Sequence, residues 1–220
     1  MDAVSILAWH FLPDDRRLRL GVDRGTLVEP GWTYYTDYPP VMCSHGYHAS
    51  VRAIDALLYA PGACICRVRL SGTVIADADK HVASERTVLW MADATNTLHL
   101  FACDIAEKTL RDENIDDARC WAAINTKRAW LAGDATTRDL GAAWGVARRS
   151  AWEVTQGVAR GAAWEAARGA ARGAAWGAAW GAAWGAAQGA ARQAAWQAAW
   201  EAARGAQNKI LTHRLMALNK

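Results

Sequence analysis

The nine residues ACICRVRLS, at positions 63–71, set Cys66, Val68 and Leu70 in alternation with Arg67, Arg69 and Ser71. A period of two, with β-branched Ile65 and Val68 inside it, is the pattern of a strand with one dry face. Upstream, Pro61-Gly62 punctuates the chain, and residues 50–59 carry apolar side chains at Val51, Ile54, Ala56, Leu57 and Leu58. That spacing predicts a helix, with Ser50 placed to cap its first turn. Further upstream, residues 4–11 are apolar and β-prone and run into Pro13 and the polar DDRR turn, which predicts a first strand. Residues 21–40 mix short strand-like pieces with Gly, Pro and Asp, the composition of turns and a hairpin. After Pro39-Pro40, residues 41–43 read as a short strand. Downstream, residues 73–76 and 81–83 continue the sheet, while 87–110 and 118–131 read as helices rich in Ala, Leu and Met. Strands first and helices later predict an α+β head over residues 1–135.

The chain then changes its rule. From Gly141 to Gly205 a four-residue beat runs, at its purest in GAAWGAAWGAAWGAAQG at 173–189. One phase holds Trp144, Trp152, Trp164, Trp176, Trp180, Trp184, Trp196 and Trp200, and the same phase holds Arg148, Arg160, Arg168, Arg172, Arg192 and Arg204. Most other positions are Ala or Gly, and no proline interrupts the stretch. Alanine is the best helix former, so residues 136–205 are expected to be helical, about 95 Å long if unbroken. Each glycine opposes this by about 1 kcal/mol, so burial of the indoles must make up the difference. A period of four drifts by about 40° per repeat, which disfavours a left-handed coiled coil. A right-handed supercoil, a bent helix, several packed helices and a non-helical solenoid stay open. Residues 206–220 read as a short amphipathic cap striped by Ile210, Leu211, Leu215 and Leu218.

Charge follows the same division. Of the 220 residues, 1–140 hold 15 Lys+Arg and 19 Asp+Glu, whereas 141–220 hold 10 and 3. The basic second part suits either an acidic partner or a merely solvated helix face. With 52% hydrophobic residues the chain is no disordered tail, yet about a fifth of it is alanine, which buries little area. No run of about 18 apolar residues escapes charge or the glycine beat, so no membrane span is expected. The five cysteines, an odd number, argue against a secreted disulfide framework, and the N-terminus lacks the basic region of a signal peptide. A reducing cytoplasm, bacterial or of a phage-infected host, is the expected location.

Cys43-Ser44-His45-Gly46-Tyr47-His48 is the densest polar cluster, followed by Cys64 and Cys66. It lacks the paired C-x-x-C spacing of common zinc sites, so no metal is expected. Read in order, Ala8-Trp9-His10-Phe11, then Gly46-Tyr47-His48-Ala49-Ser50, then a helix with Asp55 and Tyr59, then Cys66–Gly72, then Val82–Val88 around Glu85, the head resembles the ADP-ribosyltransferase family of the poly(ADP-ribose)-polymerase type. The resemblance implies that His10 contacts the ribose beside nicotinamide and that His48 stands at the position of the family's ring-stacking tyrosine. Tyr47 and Ser50 would then line the NAD site, with Glu85 as the carboxylate that steadies an oxocarbenium-like charge. Here that stacking position is His rather than Tyr, and no Gly-Ser or Gly-Thr follows His10. The whole chain is similar to uncharacterised phage and bacterial proteins that join a C-x-x-G-[FLY]-H head to Ala-rich tetrapeptide repeats. Cys43, Gly46, Tyr47, His48, the E-R-T-V-L-W-M segment at 85–91 and the repeat carry that similarity.

Three functions follow as expectations. The first is a non-enzymatic structural or interaction protein, without cofactor, whose repeat packs against the head or forms a homo-oligomer through residues 141–205. The second is an NAD-binding protein or NAD-dependent ADP-ribosyltransferase using His10, His48 and Glu85. The third is a binder of single-stranded nucleic acid, with bases stacked on the Trp/Arg ladder.

Overall fold

The computed structural model describes residues 5–19, 24–154 and 196–219. In chain order the elements are β1 (Ile6–Leu12), β2 (Thr33–Tyr35), β3 (Tyr47–Ala49), α1 (Ala53–Leu58), β4 (Cys64–Ala76), β5 (His81–Asp93), α2 (Thr95–Asp112), α3 (Ala118–Ala132), α4 (Thr137–Val154) and α5 (Trp196–Met216). The α+β character expected of the head is present, as an antiparallel sheet plus helices.

The alternating stretch at 63–71 becomes the middle of β4. β4 folds back on β5 through a tight turn in which Asp77 N–H donates to the Lys80 carbonyl at 2.8 Å. β1 pairs with the other edge of β4, and β2 and β3 share the far edge of β5. Cys66, Val68 and Leu70 are each 0% exposed and meet Ala8, Leu12, Tyr47, Ala83 and Val88 in the sheet's core. The polar partners Arg67 and Arg69 fall between them, as the period of two requires. The register slips between Ser71 and Val74, where Gly72 adopts φ +73°, a conformation open to glycine.

Three local expectations are corrected. Residues 87–93 are not the start of a helix: they are the second half of β5, and helix begins only at Thr95. Thr87, Val88 and Trp90 are β-formers, and pairing with β4 from Cys64↔Asp93 onward outweighs the helical spacing of the apolar residues. Ser50 does not cap α1. It exchanges two backbone hydrogen bonds with Trp9, at 2.7 and 2.9 Å, and the helix begins after Arg52. Residues 41–43 form no strand; they are a turn closed by the Val41–His45 bridge. The strand lies just beyond, at Tyr47–Ala49.

The helices carry their own start and stop signals. Asp117 accepts from Arg119 N–H at 2.9 Å to open α3, and Gly133, at φ +87°, closes it. Before α4, Thr136 and Asp139 exchange hydrogen bonds in a capping box, at 2.9 and 3.2 Å.

The chain divides into two compact units, Met1–Ala94 with Leu211–Lys220, and Thr95–Ile210. This division differs from the compositional one at 135/136, because α2 and α3 group with α4 rather than with the sheet. In the second unit Cys103, Ala106 and Leu110 of α2 pack on Cys120 and Ile124 of α3, and Ala123 meets Ala147 of α4. The first and last turns of the repeat are helical, in α4 and α5; the core of the repeat, 155–195, lies outside the described residues. The tail is not a separate cap but the end of α5, with Leu211 and Leu215 buried and Ile210 and Leu218 half-buried. No described helix is long and apolar enough to cross a membrane.

Candidate functional site

β1, β3 and β5 of the sheet unit converge on a cavity of about 380 Å³. β1 lends Trp9, His10 and Phe11 to its wall, β3 lends Tyr47 and His48, and β5 lends Arg86. Ser50, Cys43, Tyr59 and Lys80 complete the rim, with Arg17 and Arg19 on another side. Four of the five residues singled out in the sequence, His10, Tyr47, His48 and Ser50, therefore share one concave surface.

Glu85 does not join them. It neighbours Arg86 on β5, and adjacent residues of a strand point to opposite faces. Its carboxylate accepts a hydrogen bond from Ser71 Oγ at 2.9 Å, opposite it in the ladder. The alternation that brings Arg86 into the cavity is what turns Glu85 away. The expectation of a convergent His10, His48 and Glu85 is corrected accordingly.

The glycine of the C-x-x-G-Y-H motif has a steric reason. Gly46 sits at φ +97°, and a Cβ there would stand 2.8 Å from the Ala83 carbonyl oxygen and 2.9 Å from Val82 Cγ2. Only glycine lets the chain pass that close to β5 before entering β3. Cys43 is itself left-handed, at φ +61°, which aims its N–H at His48 Nε2, 2.9 Å away. Nε2 is thus an acceptor, and the ring proton sits on Nδ1. Burial, then the Lys80 charge, lower the His48 pKa. His10 is pushed well below the usual histidine range, first by burial and then by Arg86 and His48. Both imidazoles are neutral at physiological pH and serve as hydrogen-bonding groups.

Positive charge comes instead from Arg17, Arg19, Lys80 and Arg86, and no Asp or Glu stands among the described lining residues. Arg17 and Arg19 are engaged with the Gly25 carbonyl and with Asp15. Lys80 lies 4.4 Å from the centre of the Tyr59 ring, whose hydroxyl donates to Asp79 at 2.7 Å, and a hydrogen bond with the Cys43 thiol raises its pKa. Arg86 is 1% exposed, rests 5.2 Å from the Tyr47 ring centre and donates from Nη1 to the His48 carbonyl at 3.1 Å. Tyr47 in turn donates to the Tyr35 carbonyl at 3.1 Å, which holds that ring in place.

Sequence reasoning missed Arg86. A single arginine in E-R-T-V, just before the stretch read as a helix, looks like an ordinary solvated charge. Its one signal was its place on the same face as Val88, visible only once the stretch is known to be strand.

The thiols of Cys64 and Cys66 hydrogen-bond each other, and that bond together with burial raises Cys66 well above the usual thiol range. Among the described residues no three His, Cys, Asp or Glu side chains gather to hold a metal ion. No protein-family model, curated protein or solved structure matches the chain.

Proposed function

We propose that this is a non-enzymatic binding and interaction protein whose sheet unit holds an anionic, ring-bearing ligand of the nucleotide class. NAD is the member that the sequence resemblance implies. One observation carries the reading: the cavity unites the rings of Tyr47 and Tyr59 and neutral His10 and His48 with a cationic lining and no described carboxylate. Aromatic faces suit a planar ring, and a cationic lining suits phosphates.

Turnover of NAD is less well supported than binding. Cleaving the nicotinamide–ribose bond builds positive charge on the sugar, which a nearby carboxylate has to balance. Glu85 is committed to Ser71 on the other face of β5, and a cationic cavity repels the developing charge.

Calorimetry with NAD at millimolar concentration, paired with an assay for free nicotinamide, tests this. Saturable heat without nicotinamide release is expected, unchanged in Glu85→Gln. No binding overturns the reading, and nicotinamide release that Glu85→Gln abolishes establishes NAD cleavage through Glu85 instead.

For the repeat, packing or self-association remains our reading, supported by helix at both of its ends. Light scattering of the full chain should show an oligomer that a deletion within 155–195 reduces; a monomer overturns self-association. Binding to single-stranded nucleic acid through the Trp/Arg ladder is the competing use of the same segment. It predicts affinity that falls steeply with salt.

A further inference from the structure

Arg86 is only partly satisfied by the protein around it. Nη1 reaches the His48 carbonyl, but Nε and Nη2 are buried without a hydrogen-bond partner. These two nitrogens form one edge of the guanidinium. Their N–H bonds run parallel and match the two oxygens of a carboxylate or phosphoryl group. The guanidinium lies against the Tyr47 ring and is tethered through Nη1 to the His48 carbonyl, which leaves the Nε/Nη2 edge for another acceptor.

Burial works against this charge, and the ionisable groups that face it, Cys66, Tyr47 and Tyr34, are a thiol and phenols rather than carboxylates. Arginine cannot discard its proton to escape the cost. A buried cation with two idle donors is expensive unless an acceptor arrives. Arg86 lines the cavity, so the cavity is where such an acceptor comes from.

We propose that the Nε/Nη2 edge of Arg86 is the anchor for an in-plane oxyanion, carboxylate or phosphoryl, carried by the ligand of this cavity. The inference rests on the cavity being a ligand site and names the group that must be present on the ligand. Arg86 sets specificity: ligands without an oxyanion bind weakly however well their rings fit.

The test follows the Nε–H resonance of Arg86 in the full wild-type chain by two-dimensional NMR, assigned by its loss in Arg86→Lys. Sodium phosphate, sodium acetate and adenosine are titrated separately. Saturable movement with phosphate or acetate, and none with adenosine, is expected. The anion that saturates at the lower concentration distinguishes a phosphoryl from a carboxylate ligand. No movement with either anion at tens of millimolar overturns the proposal. Calorimetry with NAD then separates this inference from the broader reading. Arg86→Lys, which keeps the charge but loses the fork, should weaken NAD at least tenfold. If wild type and variant bind NAD equally, the anchor is wrong and the cavity reading stands. If phosphate moves Arg86 but NAD does not bind, the nucleotide reading falls and the anchor stands.

Discussion

Each of the two units buries a cation over an aromatic ring, and each deals with it differently. In the sheet unit, Arg86 lies against Tyr47 beside an open cavity. In the helical unit, Lys127 is 0% exposed, sits 4.0 Å from the centre of the Trp130 ring and has no hydrogen-bond partner at Nζ. His99 packs edge-on against the same indole, 5.8 Å between centroids. Lysine can relieve its burial by titrating: desolvation brings Lys127 down to about 8. Arginine has no such escape, so Arg86 depends on an outside anion. A cavity beside the charge makes one a binding device, while a proton equilibrium makes the other a structural compromise.

The largest effect tests whether the helical unit has the packed interior this contrast assumes. Phe101 is fully buried on α2, and Phe101→Ala should cost about 3–5 kcal/mol in urea unfolding. A loss below about 1 kcal/mol would leave the burial of Lys127 without its basis. Next comes the approach to the cavity. Gly46→Ala forces a Cβ onto the Ala83 carbonyl at positive φ, so about 1–3 kcal/mol of strain and weakened NAD binding are expected. An unperturbed variant would mean that the turn before β3 is not constrained.

Lys127→Met sharpens the contrast directly. It removes an unsatisfied buried amine and keeps its length over Trp130, so the helical unit should gain about 1–3 kcal/mol. The pH dependence gives the sign independently. Lys127 falls from 10.5 to about 8 on folding, so between those values the unfolded chain holds more protons. Stability therefore rises with pH across that window, and Lys127→Met should abolish the rise. His99, lowered from 6.5 to about 4 by burial and then by Lys127, acts in the same direction at lower pH. Stability is present above 6.5 and is lost as pH falls toward 4. In the sheet unit, His10 and His48 are likewise lowered, so acid below 6.5 should weaken it. Chemical denaturation from pH 4 to 10, read separately for sheet and helix, would show both windows or break the comparison. Smallest of all, Asp117→Ala should cost about 1 kcal/mol through loss of the α3 cap. Thermal melts showing no change would argue that Arg119 N–H finds another acceptor.

How much of this could be read from the residues follows the range of the forces involved. Period-two alternation at 63–71 marked β4, and the composition of 118–131 marked α3, because strand faces and helix propensity are written in neighbouring residues. The segment 87–93 defeated the same reasoning. Its apolar spacing admits a helix, and only the ladder to β4, some twenty residues away, decides for strand. That single misreading also hid the site. With 87–110 read as helix, no ladder was in view to show that Arg86 faces the cavity and Glu85 does not.

By itself the chain specified an α+β head, a change of rule near residue 140, and the polar cluster at Cys43–His48. These depend on local periodicity and on residue chemistry. Which of Glu85 and Arg86 enters the cavity, and why Gly46 must be glycine, came only with the tertiary structure. Those outcomes depend on strand register, and a one-residue difference in register exchanges the two faces of a strand.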